Sequence, residues 1–388
     1  MPKTQSTQRI YFPGFNAVRL AAVLMVIVHH TEQMKALVGM PNGYRYSWIF
    51  GLGAEGVNMF FVLSGFLITY LLLSEEKRFG NFSVSQFYVR RLLRIHPLYF
   101  FLVFIAFFVG PHLPVVRASP VNRIILQSNH ELAMHFGPEL TMFLCLVPNL
   151  AMSLYPQLLY AFQCWSIGVE EQFYLVWPWL LRAIRGSLVR SLSILILLKV
   201  VLDVFLTRVL PMIAAPRWPT MVYFIVGLRL DSLALGALAA SAYFLSPEKM
   251  KFRFSNAWVM RYWVLILVLL SAVVACTPVH HVLWPVVCVF LILNLVTTAQ
   301  TSRLLENPIC NYLGKISYGL YMYHVCAITL ALKILEWARP QSAVWVGNGV
   351  VYGGTGLLTV VFATASYFLI EKRFLNLKQK ARSISDPG

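Results

Sequence analysis

Arg19 and His30 stand inside the apolar stretch FNAVRLAAVLMVIVHHTEQM, which runs from Phe15 to Met34. A guanidinium holds anions or polarises a carbonyl, and an imidazole moves protons near neutral pH. The eleven-residue spacing is about three helical turns, so both side chains project from nearly one face, roughly 16 Å apart along the axis. His29 is adjacent but rotated by about 100°, so it points elsewhere. An ionisable group at membrane depth costs about 3 kcal/mol by insertion scales and is a functional-site hypothesis by default. The plain alternative is an Arg that snorkels to the interface and a His capped by a carbonyl.

Other groups with chemical capacity follow along the chain. Glu55 and Asn58 open a second apolar run, GLGAEGVNMFFVLSGFLITYLL, in which Ser64-Gly65 is explained by close helix packing. Arg90, Arg91 and Arg94 lie in NFSVSQFYVRRLLRIHPLYFF, one turn apart at the inner end of a helix. They form a cationic patch able to grip phosphate oxygens, or a plain positive-inside anchor. Glu170 and Glu171 fall in the first turns of CWSIGVEEQFYLVWPWLL. The helix dipole favours carboxylates there, and a proton-handling role in the bundle is the alternative. Lys199 and Asp203, four apart, read as a neutralising pair; Arg229 and Asp231 flank a turn and are free to pair with other helices. Tyr318, Tyr321 and His324 share a helix face, where a hydroxyl could orient the imidazole, or the His is simply satisfied in the core. Glu371 closes the last apolar run beside Lys372 and Arg373, which would partly neutralise it.

These groups need elements to hold them, and composition decides which. The chain has 388 residues, 59% hydrophobic and only 12% charged, with a mean hydropathy of +0.68. That profile specifies an all-α polytopic membrane protein. About ten spans are expected: 15–34, 53–73, 94–113, 165–181, 189–209, 221–244, 259–277, 281–299, 312–335 and 344–370. Leu140–Leu154, with Pro148 inside, is short enough to be re-entrant or interfacial; as a full span it would make eleven. The connection from about His112 to Cys164 is the longest outer segment and the natural place to recognise something outside.

The formal charge of +17 needs no nucleic acid, because inner loops of membrane proteins collect Lys and Arg. Lys77, Arg78, Arg90, Arg91, Arg182, Arg185, Arg190, Lys249, Lys251, Arg253, Arg261, Arg303 and the tail cations from Lys372 fall inside. Lys35, Arg45, Arg117, Arg123, Arg208, Arg217 and Arg339 fall outside, which puts both termini in the cytoplasm. The expected division is a tail over 1–12, a membrane domain over 13–374 and a tail over 375–388, with the first apolar stretch retained as an anchor. Six scattered Cys have neither disulfide-framework nor zinc spacing and read as small core residues.

The ordered string Arg19…His30, GVNMFFVLSGFLI, FYVRRLLRIHP, WSIGVEEQFYLVWP, RLDSLALGALAA, ISYGLYMYH and the closing Glu371 resembles the acyltransferase-3 family of integral membrane acyltransferases. The resemblance covers about Phe15 to Phe374; it departs at the end, where EKRF stands in place of the family's frequent Glu-Arg-Pro-Phe. It implies a stand-alone enzyme in the bacterial inner membrane that moves an acyl group, usually acetyl, from cytoplasmic acetyl-CoA or another acyl-CoA to a hydroxyl. The acceptor would be a sugar of a surface polysaccharide or glycolipid, or a small molecule such as a macrolide.

On that reading His30 is the general base, and Glu170, Glu171 and His324 orient the base or the sugar. Arg90, Arg91 and Arg94 hold the donor's phosphates, and Arg19 holds its pantetheine arm or polarises the thioester. No metal is expected, and no Ser-His-Asp set or reactive Cys suggests an acyl-enzyme on Ser or Cys. A secondary transporter or flippase would suit ten spans with buried charges equally well, and inverted repeats would favour it. A His-based membrane sensor is a third reading.

Overall fold

The computed structural model describes residues 10–113, 119–213, 219–254, 265, 280–298, 305–338 and 344–377. Every regular element among them is helical. In chain order these are α1 (Phe15–Leu37), α2 (Ser47–Phe79), α3 (Val84–Phe104), α4 (Pro120–Leu144), α5 (Pro148–Leu154), α6 (Trp165–Ile184) and α7 (Leu188–Val204). They continue with α8 (Leu210–Ile213), α9 (Pro219–Gly227), α10 (Leu230–Leu245), α11 (Pro247–Phe254), α12 (His280–Thr297), α13 (Pro308–Lys315), α14 (Ser317–Ala338) and α15 (Val344–Ser366). Single π turns extend α3, α7 and α15.

Local sequence sets the ends. Ser83 caps α3 by accepting from the Gln86 N–H, and Ser119 caps α4 in the same way from Asn122. Asn307 caps α13, with Pro308 at the first helical position, where its missing N–H costs nothing. Gly80 ends α2 at φ 77°, a left-handed conformation glycine adopts without penalty.

Among the described residues, five helical stretches are long and apolar enough to cross a membrane: 48–79, 84–112, 219–245, 317–338 and 346–377. Helix α7 adds a face of exposed Ile194, Leu197, Leu198 and Val201 that only lipid would cover well. This is an all-α membrane protein. Lipid is as apolar as the helices' own surfaces, so the helices hold together by close packing and by polar contacts between them. Gly65 of α2 and Gly236 of α10 are the clearest case. A Cβ on Gly65 would sit 2.0 Å from the Leu233 carbonyl oxygen, and one on Gly236 would sit 2.0 Å from that of Val62. Around this contact lie two packed groups. One is centred on Val23, Phe61, Tyr99, Trp177 and Met322, the other on Phe15, Phe66, Ala239 and Ile292. Helices α1 and α2 belong to both.

Several expectations change. The connection expected between His112 and Cys164 is largely helical: α4 runs 25 residues, kinked at His135. The Leu140–Leu154 segment ends α4 and then forms α5 of seven residues, roughly 10 Å long and too short to span by itself. The span expected at 221–244 breaks between α9 and α10, where Arg229 takes φ 44°. Lys35 is no outer-loop charge: it lies in α1, 2% exposed, and its Nζ donates to Glu32 Oε1 at 2.7 Å. The span expected at 259–277, together with Cys276, Arg117, Arg217, Arg261, Arg303, Arg339 and the tail from residue 378, lies outside the described residues.

Candidate active site

Helices α1 and α14 run side by side in the same direction. Asn16 meets Asn311 on α13, just before this pairing, and thirteen to fourteen residues further along His30 meets His324. His30 Nδ1 lies 2.8 Å from His324 Nε2, with the ring centroids 4.9 Å apart. His324 Nδ1 in turn faces the Tyr321 carbonyl oxygen. A carbonyl only accepts, so His324 Nδ1 carries the proton and, in the neutral ring, its Nε2 is an acceptor. His30 Nδ1 must then be the donor, which leaves His30 Nε2 with a free lone pair. His324 is fully buried, whereas His30 is partly accessible and sits edge-on to Phe162 at 5.0 Å. His29 turns away, as its rotation requires, and its Nδ1 donates to the Ile49 carbonyl at 3.1 Å.

Tyr321 orients His324 through its backbone; its hydroxyl is 2.7 Å from Ser166 Oγ and donates to the Gln163 carbonyl. The Tyr318 hydroxyl donates to the Ile95 carbonyl at 2.9 Å, which ties α14 to α3 next to Arg94. From Tyr318 to His324 is six residues, so the Arg94 level sits about 9 Å along the helix from the imidazole pair.

At that level the cations gather. Arg19 lies within electrostatic range of Arg91 and Arg94, and Arg94 within range of Glu170 and Glu371. Arg94 is exposed on α3. Arg91 lies over the rings of Phe87 and Tyr174, 5.7 and 5.1 Å from their centroids. Arg90 faces elsewhere, with its Nη2 2.8 Å from Glu75 Oε2. Glu170 Oε1 accepts from the Ser64 hydroxyl at 2.8 Å, so Ser64 does more than allow close packing. Glu171 Oε2 is 3.1 Å from His96 Nε2. Neither carboxylate bonds to His30 among the described residues; the hydrogen bond of His30 is to His324. Glu371 is buried against Gly319, with Arg94 nearby; Lys372, expected to neutralise it, lies over the Phe368 ring instead. Lys199 and Asp203 pair at 2.6 Å, away from this site on α7.

The arrangement is a partly accessible proton-accepting nitrogen with a fixed tautomer, about 9 Å along the helix from a cluster of arginines with two carboxylates. It can deprotonate an alcohol and hold a polyanion close to it. The reading of the motifs missed Ser64, His96, Gln163 and the Asn16–Asn311 contact. Asn16 alone carried a signal, one turn before Arg19 on the same face.

A family model described as "Acyltransferase domain" matches residues 12–368. The peptidoglycan O-acetyltransferase OatA of Listeria monocytogenes is 26% identical over 361 residues, covering 88% of this chain and 53% of the relative. YrhL of Bacillus subtilis, provisionally named a peptidoglycan O-acetyltransferase, is 25% identical over 387 residues, covering 93% and 54%. A provisionally named O-acetyltransferase of Staphylococcus aureus (strain COL) is 26% identical over 380 residues, covering 94% and 57%. The chain thus spans little more than half the length of these relatives. No solved structure matches it.

Proposed function

The chain belongs to the acyltransferase-3 family, and from that premise we propose that it transfers an acetyl group from acetyl-CoA to a hydroxyl of a cell-wall or surface glycan. The observation that supports the reading is the His30–His324 contact, which leaves one nitrogen of the partly accessible His30 imidazole free to accept a proton. The donor enters from the cytoplasmic side, its phosphates against Arg91 and Arg94 and its pantetheine arm passing Arg19 toward His30. The acceptor hydroxyl comes to His30 from the other face. As its oxygen attacks the thioester carbonyl, His30 Nε2 takes its proton. The tetrahedral intermediate collapses, the C–S bond breaks, and the departing thiolate takes the proton back from the imidazolium. Direct transfer needs no acyl-enzyme.

Ten crossings with both termini cytoplasmic, a membrane domain over 13–374 and residence in the bacterial cytoplasmic membrane belong to the same proposal. The cation distribution supports it. Peptidoglycan is the first acceptor to try because two of the relatives are named for it; a small-molecule alcohol is the second.

Purified protein in lipid vesicles, given acetyl-CoA and glycan fragments, should release free CoA and acetylate the glycan. Release that is absent with every hydroxyl acceptor tried, or unchanged in His30→Ala, overturns the reading.

A further inference from the structure

Arg19 ends a chain of hydrogen bonds that begins at Glu306. Its Nη1 donates to Asn16 Oδ1 at 3.1 Å. Asn16 Nδ2 donates to Asn311 Oδ1 at 3.2 Å, and Asn311 Nδ2 donates to Glu306 Oε2 at 3.3 Å. Each amide accepts on one side and donates on the other, so the donors all point toward the carboxylate. A carboxylate only accepts, which fixes the orientation of both amides and presents an oxygen to Arg19.

The chain is also held by packing. Asn311 and Gly314 are one turn apart on α13, and both face Asn16: a Cβ on Gly314 would lie 2.1 Å from the Asn16 carbonyl oxygen. Only glycine lets α13 come close enough for Asn311 to reach across. Glu306 itself is anchored from the N-terminal segment, accepting from the Gly14 N–H and the Tyr11 hydroxyl, each at 2.8 Å. An Arg side chain left to itself samples many rotamers, and ordering it has an entropic cost. Here that cost is met before any ligand arrives, by groups that never touch the ligand.

We infer that Asn16, Asn311 and Glu306 are positioning residues that set the Arg19 guanidinium for the acyl donor. The inference rests on the donor-side role given to Arg19 above, and its test separates the two.

Acetyl-CoA affinity and thermal unfolding are measured on the full chain in detergent for Arg19→Ala, Asn311→Leu and the double variant. Asn311→Leu breaks the chain while leaving Glu306 its contacts to Gly14 and Tyr11. It should weaken acetyl-CoA by about tenfold and do nothing further in the Arg19→Ala background, because a residue acting through Arg19 has no effect without it. Wild-type affinity in Asn311→Leu, or an additive loss in the double variant, overturns the positioning role and leaves the function standing. Unchanged affinity in Arg19→Ala overturns the donor-side reading and this inference with it.

Discussion

His30 Nδ1 and His324 Nε2 face each other at 2.8 Å across the α1–α14 contact, and this single bond decides which nitrogen of His30 is free. In the proposed mechanism the second ring fixes the tautomer of the base, and the Tyr321 carbonyl orients that second ring. His30→Ala should lower turnover by about 10²–10⁴-fold, the usual worth of a positioned general base. His324→Ala should cost about tenfold or more, because His30 then exchanges tautomers. His324→Gln offers an amide oxygen to the same N–H and should recover part of that loss. Acetyl transfer by the three variants under saturating acetyl-CoA checks the assignment; equal rates for the Ala and Gln variants would refute the tautomer argument.

Glu170 is held by Ser64 across the α2–α6 contact. Ser64→Ala leaves a carboxylate oxygen inside the bundle without its donor, which costs about 1–3 kcal/mol. Thermal unfolding of Ser64→Ala in detergent should therefore fall well below wild type. Ser64→Thr, which keeps the hydroxyl, should unfold close to wild type.

The Gly65–Gly236 contact predicts the largest purely structural effect. An added methyl at either position meets a backbone carbonyl, which cannot rotate away as a side chain would. Gly65→Ala or Gly236→Ala must push α2 and α10 apart, at about 1–3 kcal/mol or more. Loss of folded protein from membranes, read by detergent size-exclusion, is the expected result for both.

Tyr11 and Glu306 give the stability a pH dependence at both ends. Partial burial pushes the Glu306 carboxyl up, but hydrogen bonds from Gly14, Tyr11 and Asn311 outweigh it and hold the group below its usual range. A depressed carboxylate contributes stability that is present above its unfolded pKa of about 4.3 and is lost as pH falls through the folded value. Burial, then the bond to Glu306, raises the Tyr11 phenol to about 12. A raised group contributes stability that is complete below its unfolded pKa, near 10, and disappears as pH rises through the folded one. Glu306→Gln should flatten the acid limb of a thermal-unfolding profile and Tyr11→Phe the alkaline limb. A limb left unchanged by its variant would show that the contact does not contribute there.

The sequence made some of this legible and not the rest, for physical reasons. Spacing along one helix is readable: the common face of Arg19 and His30, the divergence of His29 and the Lys199–Asp203 pair all follow from the rise and turn of an α-helix. Contacts between distant segments are not. Nothing in ISYGLYMYH says that a Tyr321 carbonyl, and not a hydroxyl, orients His324, or that the second ring comes from α1. The charge count misplaced Lys35 because a cation near the end of an apolar run looks like a loop residue until its partner, Glu32, is seen beneath it. Composition also hid α4, since a polar helix with His130, Glu131 and His135 lacks the apolar signal that marks a span.

The three arginines of the third helix are equivalent by spacing but differ in their surroundings, and that difference yields the last prediction. Arg90 is already engaged by Glu75. Arg91 stacks over two aromatic rings, and Arg94 is exposed with Arg19 nearby. A guanidinium committed to a carboxylate has little left to offer a phosphate, whereas one held by rings keeps its fork open. Arg91→Ala and Arg94→Ala should each raise the acetyl-CoA concentration at half-saturation by about tenfold, with kcat less affected, since a group that grips donor and transition state equally changes binding and not the chemical step. Arg90→Ala should move half-saturation by less than about twofold, within the range of a partly exposed ion pair. Arg94→Lys keeps the charge and loses the fork, so it should fall between wild type and Arg94→Ala. Equal shifts for Arg90→Ala and Arg94→Ala would mean that the patch acts by net charge alone, and would remove Arg94 from the donor site.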